Sequence, residues 1–552
     1  MGDLTEEEKK VLAPFVTSTE RNIFVLTNLP EVIKGALFSR YSRSTKSLRR
    51  LLIDEFLKDP QSGLSQLSAN TSQSEELRKA IKKAQDFYDR VLDGYGDDSV
   101  GELGGAHVAI ENVSIIATKI IQDARIGGSP LEKSTRYVWF DQKVDGDYLF
   151  YKEPKIMNSK HKELYLSINR RLFQTYADLV APITEFVKKN FPLEDFAFFD
   201  SQTKKEIPYS EISDEKMKKR AQIAYNAAVR SKACDLLRGL LPASTLTNMG
   251  VYGNGRFFQG LLSRLFQNEL SEPQIIAKEM KEELDKVIPS FVRRAAKSDY
   301  LEKANKQAQK LAKSLTDSIK PLGVKPVVLV NYDKNLEDEL ISAILYPYSK
   351  LSMMQLNVLV QSISPEEKLK IMKEYIGERK ARRDKPGRAF EHIYYTFDIL
   401  ADYGLFRDLH RHRVLTQQRQ LLSTDHGYEL PEEIVQAGYG DVFEQAMKEA
   451  KDAYDIIAKD FPTEAQYVVP LAYKIRFYMK LNLREAFHLI ELRSTPQGHA
   501  GYRKIVQLMY KEIEKVHPVF AKAMKFVDLN DYPLGRLKSE MRKEEKREIR
   551  NE

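Results

Sequence analysis

Between positions 394 and 406 the apolar side chains Tyr394, Phe397, Ile399, Leu400, Tyr403 and Phe406 recur at spacings that predict a buried strand running into a helix. The run 106–119 is apolar enough for a buried strand or helix, and VVLV within 321–331 predicts a strand. Helical patterns cover 217–241, where Pro242 ends them, and much of the span from 332 to 376. The stretch 269–320 is also helical in pattern, and so charged that it reads as solvated helix. Nearer the N-terminus, 32–57 predicts a helix or strand, a polar break and an amphipathic helix. A polar turn at 61–73 and a helix to Leu92 follow. Residues 141–217 predict an insertion made mainly of helices, and the charged end from 542 predicts a frayed tail. Composition shifts at 321–331, which places a domain boundary there and gives domains 1–320 and 321–552.

At 552 residues the chain is long enough for two or more domains, each with its own core. Its 42% hydrophobic and 30% charged content is that of a globular protein. A net charge of +8 permits anionic ligands without demanding nucleic acid, so affinity has to come from local sites. No run of about eighteen apolar residues occurs, and MGDLTEEEKK lacks the basic and apolar regions of a signal peptide. A cytoplasmic protein with no membrane association is expected. Cys234 is the single cysteine, which excludes internal disulfides and CxxC sites. Its surroundings, AAVRSKACDLLRGLL, predict a buried structural thiol rather than a nucleophile.

The stretch FRDLHRHRVLTQQRQLLS gathers Arg407, His410, Arg411, His412, Arg413 and Arg419 with no acid after Asp408. An anionic ligand is expected there. On a helix Arg411 and Arg413 point to different sides, which suits a large, multi-phosphate ligand better than a lone phosphate. A solvated basic face is the competing reading, and nucleic-acid binding together with 380–388 is another. His410 and His412 lack an accompanying ligand cluster, so no metal is expected. In 125–137, Ser129, Ser134 and Thr135 supply hydroxyls, Arg136 a planar fork and Glu132 an acceptor. Gly127 and Gly128 let backbone amides approach a ligand. Such a set suits a phosphate and the polar edge of a base, although its spacing is not that of a P-loop. Arg238, Asn254, Arg256 and Arg264 form a second polar group on an apolar scaffold. Arg40, Arg43, Arg49 and Arg50 read as a solvated face, and GERKARRDKPGR as a mobile loop.

The two halves repeat one another. Each carries an apolar element, an Arg- or Ser-rich motif, and a proline followed twelve residues later by asparagine: Pro242 and Asn254, then Pro470 and Asn482. Each half resembles a flavin-dependent thymidylate synthase, the ThyX family, whose signature reads RHRxxSxxExSxRY. The second copy keeps the front of it as Arg411, His412 and Arg413, with Thr416 at the first serine position. It has Arg419, Leu421, Ser423 and Thr424 where the family has Glu, Ser, Arg and Tyr. The first copy has Ala124, Arg125 and Ile126 at the front but keeps Ser129, Glu132, Ser134, Arg136 and Tyr137. Phe390, Glu391 and His392 match a triplet upstream of the motif. The arginine before the proline block survives as Arg238 and is replaced by Gln466 in the second copy. The family's C-terminal helix pattern appears as Asn482, Arg484, His488 and Arg493, with His499 beyond.

The resemblance implies an α+β, helix-rich fold of two tandem domains, each a small sheet flanked by long helices. It implies an enzyme that converts dUMP to dTMP with FAD, methylenetetrahydrofolate as carbon donor and NADPH as reductant. The nucleotide half would comprise Ser129, Glu132, Ser134, Arg136 and Arg238, and the flavin half Arg411, His412, Arg413, Asn482, His488 and His499. Arg493 would act on the uracil ring. It also implies a homodimer imitating the family's tetramer, with each composite site within or between chains. A catalytically inactive relative that binds flavin or nucleotide as a sensor or scaffold is the alternative.

Overall fold

The apolar pattern around Tyr394 is realised as a strand, Tyr394–Asp402, that runs straight into the helix Tyr403–Leu409. Along the strand Tyr395, Phe397, Ile399 and Ala401 point inward and are buried, as a period of two requires. Asp402 ends the strand and starts the helix, its carboxylate accepting the Leu405 N–H at 2.9 Å. The computed structural model describes residues 4–20, 24–41, 46–57, 100–200, 204–320, 325–334 and 336–551. The turn and helix expected within 61–92, and Arg43, lie outside them.

The chain forms two compact units. One comprises Met1–Val113, Ile120–Lys133 and Thr247–Ile319, and the other Ser114–Lys119, Ser134–Leu246 and Lys320–Glu552. The first unit holds a three-stranded sheet with Leu246–Asn254 between Gly105–Ser114 and Gly128–Glu132. The second holds a four-stranded antiparallel sheet in the order Thr416–Arg419, Lys474–Asn482, Tyr394–Asp402, Val327–Tyr332. The architecture is α+β and helix-rich.

The two sheets are built from corresponding segments. Asn254 and Asn482 each end the central strand and cap the next helix, accepting the N–H of Phe257 and of Glu485, both at 2.8 Å. Ser129 faces Tyr252 across its sheet as Thr416 faces Lys480 across the other. Within the second unit the proline blocks of the copies pair with each other, Pro242 against Pro470. The pairing is reciprocal. Ala243 N–H donates to the Val469 carbonyl and Leu471 N–H to that of Leu241, both at 2.9 Å. Ser244 N–H donates to Tyr467 at 3.0 Å and Ala472 N–H to Gly239 at 2.9 Å. Gly239 permits the approach, since a Cβ there would stand 3.1 Å from the Ala472 Cβ.

Several expectations need correction. The helix after Tyr394–Asp402 ends at Leu409, so Arg411 and Arg413 occupy the following turn rather than a helix. The span 141–217 is mainly helical as expected, through the long helix Lys162–Asn190, and adds two short hairpins, Lys143–Val144 with Asp147–Tyr148 and Ala197–Asp200 with Lys205–Pro208. Within 269–320, the helix Ser271–Leu284 buries Ile276, Ala277, Met280 and Leu284. The stretch read as a mobile loop is pinned by Arg379, 5% exposed, whose Nη1 and Nη2 donate to Glu491 at 2.7 and 2.6 Å. The charged tail is not frayed as far as Asn551: it forms the helix Leu537–Asn551, against the helix Glu215–Leu237. Cys234 is buried on the latter, and burial pushes its thiol up to about 12, as a structural thiol requires.

Candidate functional site

The second unit brings together side chains from both copies. Arg136, in the loop after Gly128–Glu132, is buried and donates through Nε and Nη2 to the two carboxylate oxygens of Asp235, each at 2.7 Å. Asp235 lies near the end of the helix Glu215–Leu237, and Arg238 begins the 3₁₀ turn that follows. Arg238 donates through Nη1 to Asp408 at 3.1 Å, while its Nη2 is buried with no hydrogen-bond partner among the described residues. Burial alone would lower the basicity of Arg136, but the Asp235 carboxylate outweighs it and raises its pKa above the ordinary arginine value. Burial likewise works against ionising Asp408. Arg238, Arg136, Arg411 and Arg493 outweigh it and hold its carboxyl well below the usual range.

On the copy-two side, the helix Leu483–Arg493 carries Glu485, His488 and Arg493. Arg493 Nε donates to His412 Nε2 at 3.0 Å, which leaves His412 Nδ1 to carry the proton and donate to Glu485 Oε1 at 2.8 Å. Burial first, and then Arg493, push His412 well below its ordinary pKa, so it stays a neutral connector. Burial raises Glu485 to about 7, against the pull of His488, Lys385, Arg484 and Arg493. His488 packs edge-on against His412, with ring centroids 5.6 Å apart. Tyr502, on the helix Ala500–Val516, joins the two groups: the Arg136 guanidinium lies 5.8 Å and that of Arg493 5.6 Å from its ring centroid.

The remaining candidates divide clearly. Ser134 Oγ accepts the Arg136 N–H at 3.2 Å and so shapes the loop. Asn482 is a helix cap, and so is His499, whose Nδ1 accepts the Gly501 N–H at 3.0 Å. Burial, with Arg238 and Arg136 nearby, pushes His499 down to about 3. Ser129 and Glu132 belong to the first unit, where Gln122 Nε2 donates to Glu132 Oε2 at 3.4 Å. Of the basic run that first suggested an anion site, Arg407, His410 and His412 are buried, and Arg419 stacks over Phe406 at 5.5 Å. Arg411 and Arg413 remain exposed. The second polar group disperses: Arg256 pairs with Glu102 at 3.0 Å and Arg264 donates to the Asp123 carbonyl at 3.1 Å.

Sequence reasoning missed Asp235, Glu485 and Tyr502, and it noted Asp408 only as the last acid before the basic run. His412, Glu485 and His488 offer ligand atoms within 4.8 Å of one another. Both His412 nitrogens are already engaged, and Lys385, Arg484 and Arg493 make the field there positive, which disfavours a divalent cation. The same positive field suits a phosphate-bearing cofactor. Arg411 and Arg413 are exposed at one helix end, while Lys385 and Arg382 act on His488 from the pinned loop. No helix among the described residues is long and apolar enough to cross a membrane.

Comparison with known proteins identifies the family. The chain is 45% identical over 550 residues to a UPF0159 protein of Chlamydia muridarum, covering 98% of this chain and 99% of that one. A UPF0159 protein of Thermoplasma acidophilum is 37% identical over 521 residues, 92% of this chain and 98% of its own. A solved structure of a UMP/dUMP methylase from Streptomyces cacaoi, bound with 5-Br dUMP, is 15% identical. It covers 37% of this chain and 96% of its own, with a TM-score of 0.31. The family model described as "Thymidylate synthase complementing protein" matches residues 52–290 and again 328–519, so the chain belongs to that family, Thy1, and carries its match in two stretches.

Proposed function

We propose that the chain is an FAD-dependent thymidylate synthase, methylating dUMP to dTMP at a composite site to which the first copy gives the nucleotide half and the second the flavin half. One observation carries the reading: Arg136 from the first copy and Arg493 from the second lie over the same ring, that of Tyr502. When bound, FAD would supply the reducing chemistry, with NADPH as electron source and methylenetetrahydrofolate as carbon donor. Arg411 and Arg413 would neutralise its phosphates, with His488, Lys385 and Arg382 completing the positive surface. Arg238 has a buried N–H to spare for the dUMP phosphate, and Arg136 would share that role from its place on Asp235. Arg493, held by His412, would stabilise negative charge developing on the uracil ring as C5 becomes nucleophilic. Cys234, buried with its thiol raised to about 12, takes no part, which suits a route without an enzymic thiolate. Two chains together would supply half the sites of a family tetramer.

The test is tritium release from dUMP labelled at C5, with FAD-loaded protein, NADPH and methylenetetrahydrofolate. Release is expected, and none from flavin-loaded protein would overturn the assignment. Arg136→Ala is expected to weaken dUMP binding, and Arg411→Ala FAD binding. The opposite pattern would reverse the two halves. A second reading, a relative that has lost turnover, is favoured by the carboxylates of Asp235 and Asp408 already lying on the two arginines. Protein that takes up no FAD would support it.

A further inference from the structure

The helix Asp299–Thr316 is the one long helix of the first unit with no buried residue among its described positions. It is nonetheless patterned. Leu301, Ala304, Ala308, Leu311 and Leu315 recur at alternating intervals of three and four, the a and d positions of a heptad, and its leucines are exposed: 42% for Leu301, 60% for Leu311 and 71% for Leu315. A stripe that narrow fits another helix; a membrane-surface helix needs a broader apolar face.

The charges choose the partner. The positions flanking the stripe are Tyr300, Asn305, Gln307, Ala312 and Ser314, none of them charged. Lys303, Lys306, Lys310 and Lys313 fall at c and f positions, turned away from the seam, so two copies of this helix meet without like-charge repulsion. Lys306 is also paired on its own helix, with Glu302 at 2.7 Å. The alanines at the centre of the seam permit close approach. We propose that this helix pairs with the same helix of a second copy of the chain, as a short two-stranded coiled coil that makes the protein a homodimer. This deepens the dimer part of the proposed function, and its test reads mass rather than turnover, so the two readings fail separately.

The test is sedimentation of the full chain over a range of concentrations. A species of twice the 63.7 kDa chain mass is expected. Leu311→Glu with Leu315→Glu is expected to return it to the monomer mass while leaving the circular dichroism unchanged, because both side chains are exposed. Ala308→Cys, at the middle of the seam, is expected to form an intermolecular disulfide on mild oxidation, and Lys306→Cys, on the opposite face, is not. Wild-type protein that stays monomeric, or a dimer that survives the double substitution, overturns the proposal. Monomeric protein that binds vesicles of anionic phospholipid through Leu311 and Leu315 overturns it in favour of a lipid surface.

Discussion

Replacing Glu485 by glutamine should stabilise the protein above neutral pH and leave it nearly unchanged in mild acid. Glu485 is 9% exposed, and burial holds its pKa near 7 against an ordinary value of 4.5. A carboxyl whose folded pKa lies above its unfolded one costs nothing below the unfolded value, since both states are then protonated. The cost grows as pH rises from about 4.5 to about 7 and is complete above that. Each tenfold difference in proton affinity between the folded and unfolded chain is worth about 1.4 kcal/mol, so the ionised group costs on the order of 3 kcal/mol at alkaline pH. Glutamine keeps an oxygen that accepts the His412 Nδ1–H, now at 2.8 Å from Glu485, and carries no charge to desolvate. Placing its amide N–H groups returns about 1 kcal/mol of the gain. The net expectation for Glu485→Gln is a gain of about 2 kcal/mol at pH 8.5, read as a higher urea midpoint, shrinking to near zero at pH 5. A midpoint change that is the same at both pH values, or a loss at pH 8.5, would refute the linkage argument.

Asp235→Asn removes one partner of a buried bidentate pair and should cost about 3–5 kcal/mol in urea denaturation. The double substitution Arg136→Leu with Asp235→Leu should recover most of it, and a double variant as unstable as the single one would show that the pair does more than cancel its own charge. Arg493→Lys keeps the charge but loses the planar fork between His412 and Tyr502, so tritium release from labelled dUMP should fall about a hundredfold with the fold intact by circular dichroism. Gln466→Arg, which restores the family residue in the second copy, should destabilise by about 1–3 kcal/mol, because Gln466 Oε1 accepts the buried Leu422 N–H at 3.0 Å. An unchanged melting temperature would count against that role.

What the sequence made legible was local or periodic. The strand and helix at 394–409 follow from alternation giving way to a 3.6-residue period, and the matched places of Asn254 and Asn482, whose capping role only the structure shows, follow from two half-motifs at one spacing. What it hid was long-range pairing. Asp235 stands 99 positions from Arg136, and no pattern within its own helix marks it as that arginine's partner. Glu485 is an acid in the first turn of its helix, and only the fold places His412 beside it. The basic run at 406–423 divides for the same reason: sequence counts charges, but burial decides which of them an outside ligand meets. Arg407, His410 and His412 turned inward, leaving Arg411 and Arg413 outside.

The proline blocks hold the two copies against each other through backbone groups. Their reciprocal hydrogen bonds run between backbone groups and so do not depend on which side chains stand there, apart from Gly239, where a Cβ would crowd Ala472. That joint brings the end of the helix Glu215–Leu237 to the helix Tyr403–Leu409, close enough that a Cβ on Gly404 would stand 3.3 Å from Arg238 Nε. Gln466, at the position matched to Arg238, makes structural bonds instead, accepting the Leu422 N–H and donating to the Thr463 carbonyl at 2.8 Å. A single Gln466→Arg change would therefore leave the Leu422 N–H without its acceptor, so restoring the cation there costs a buried hydrogen bond.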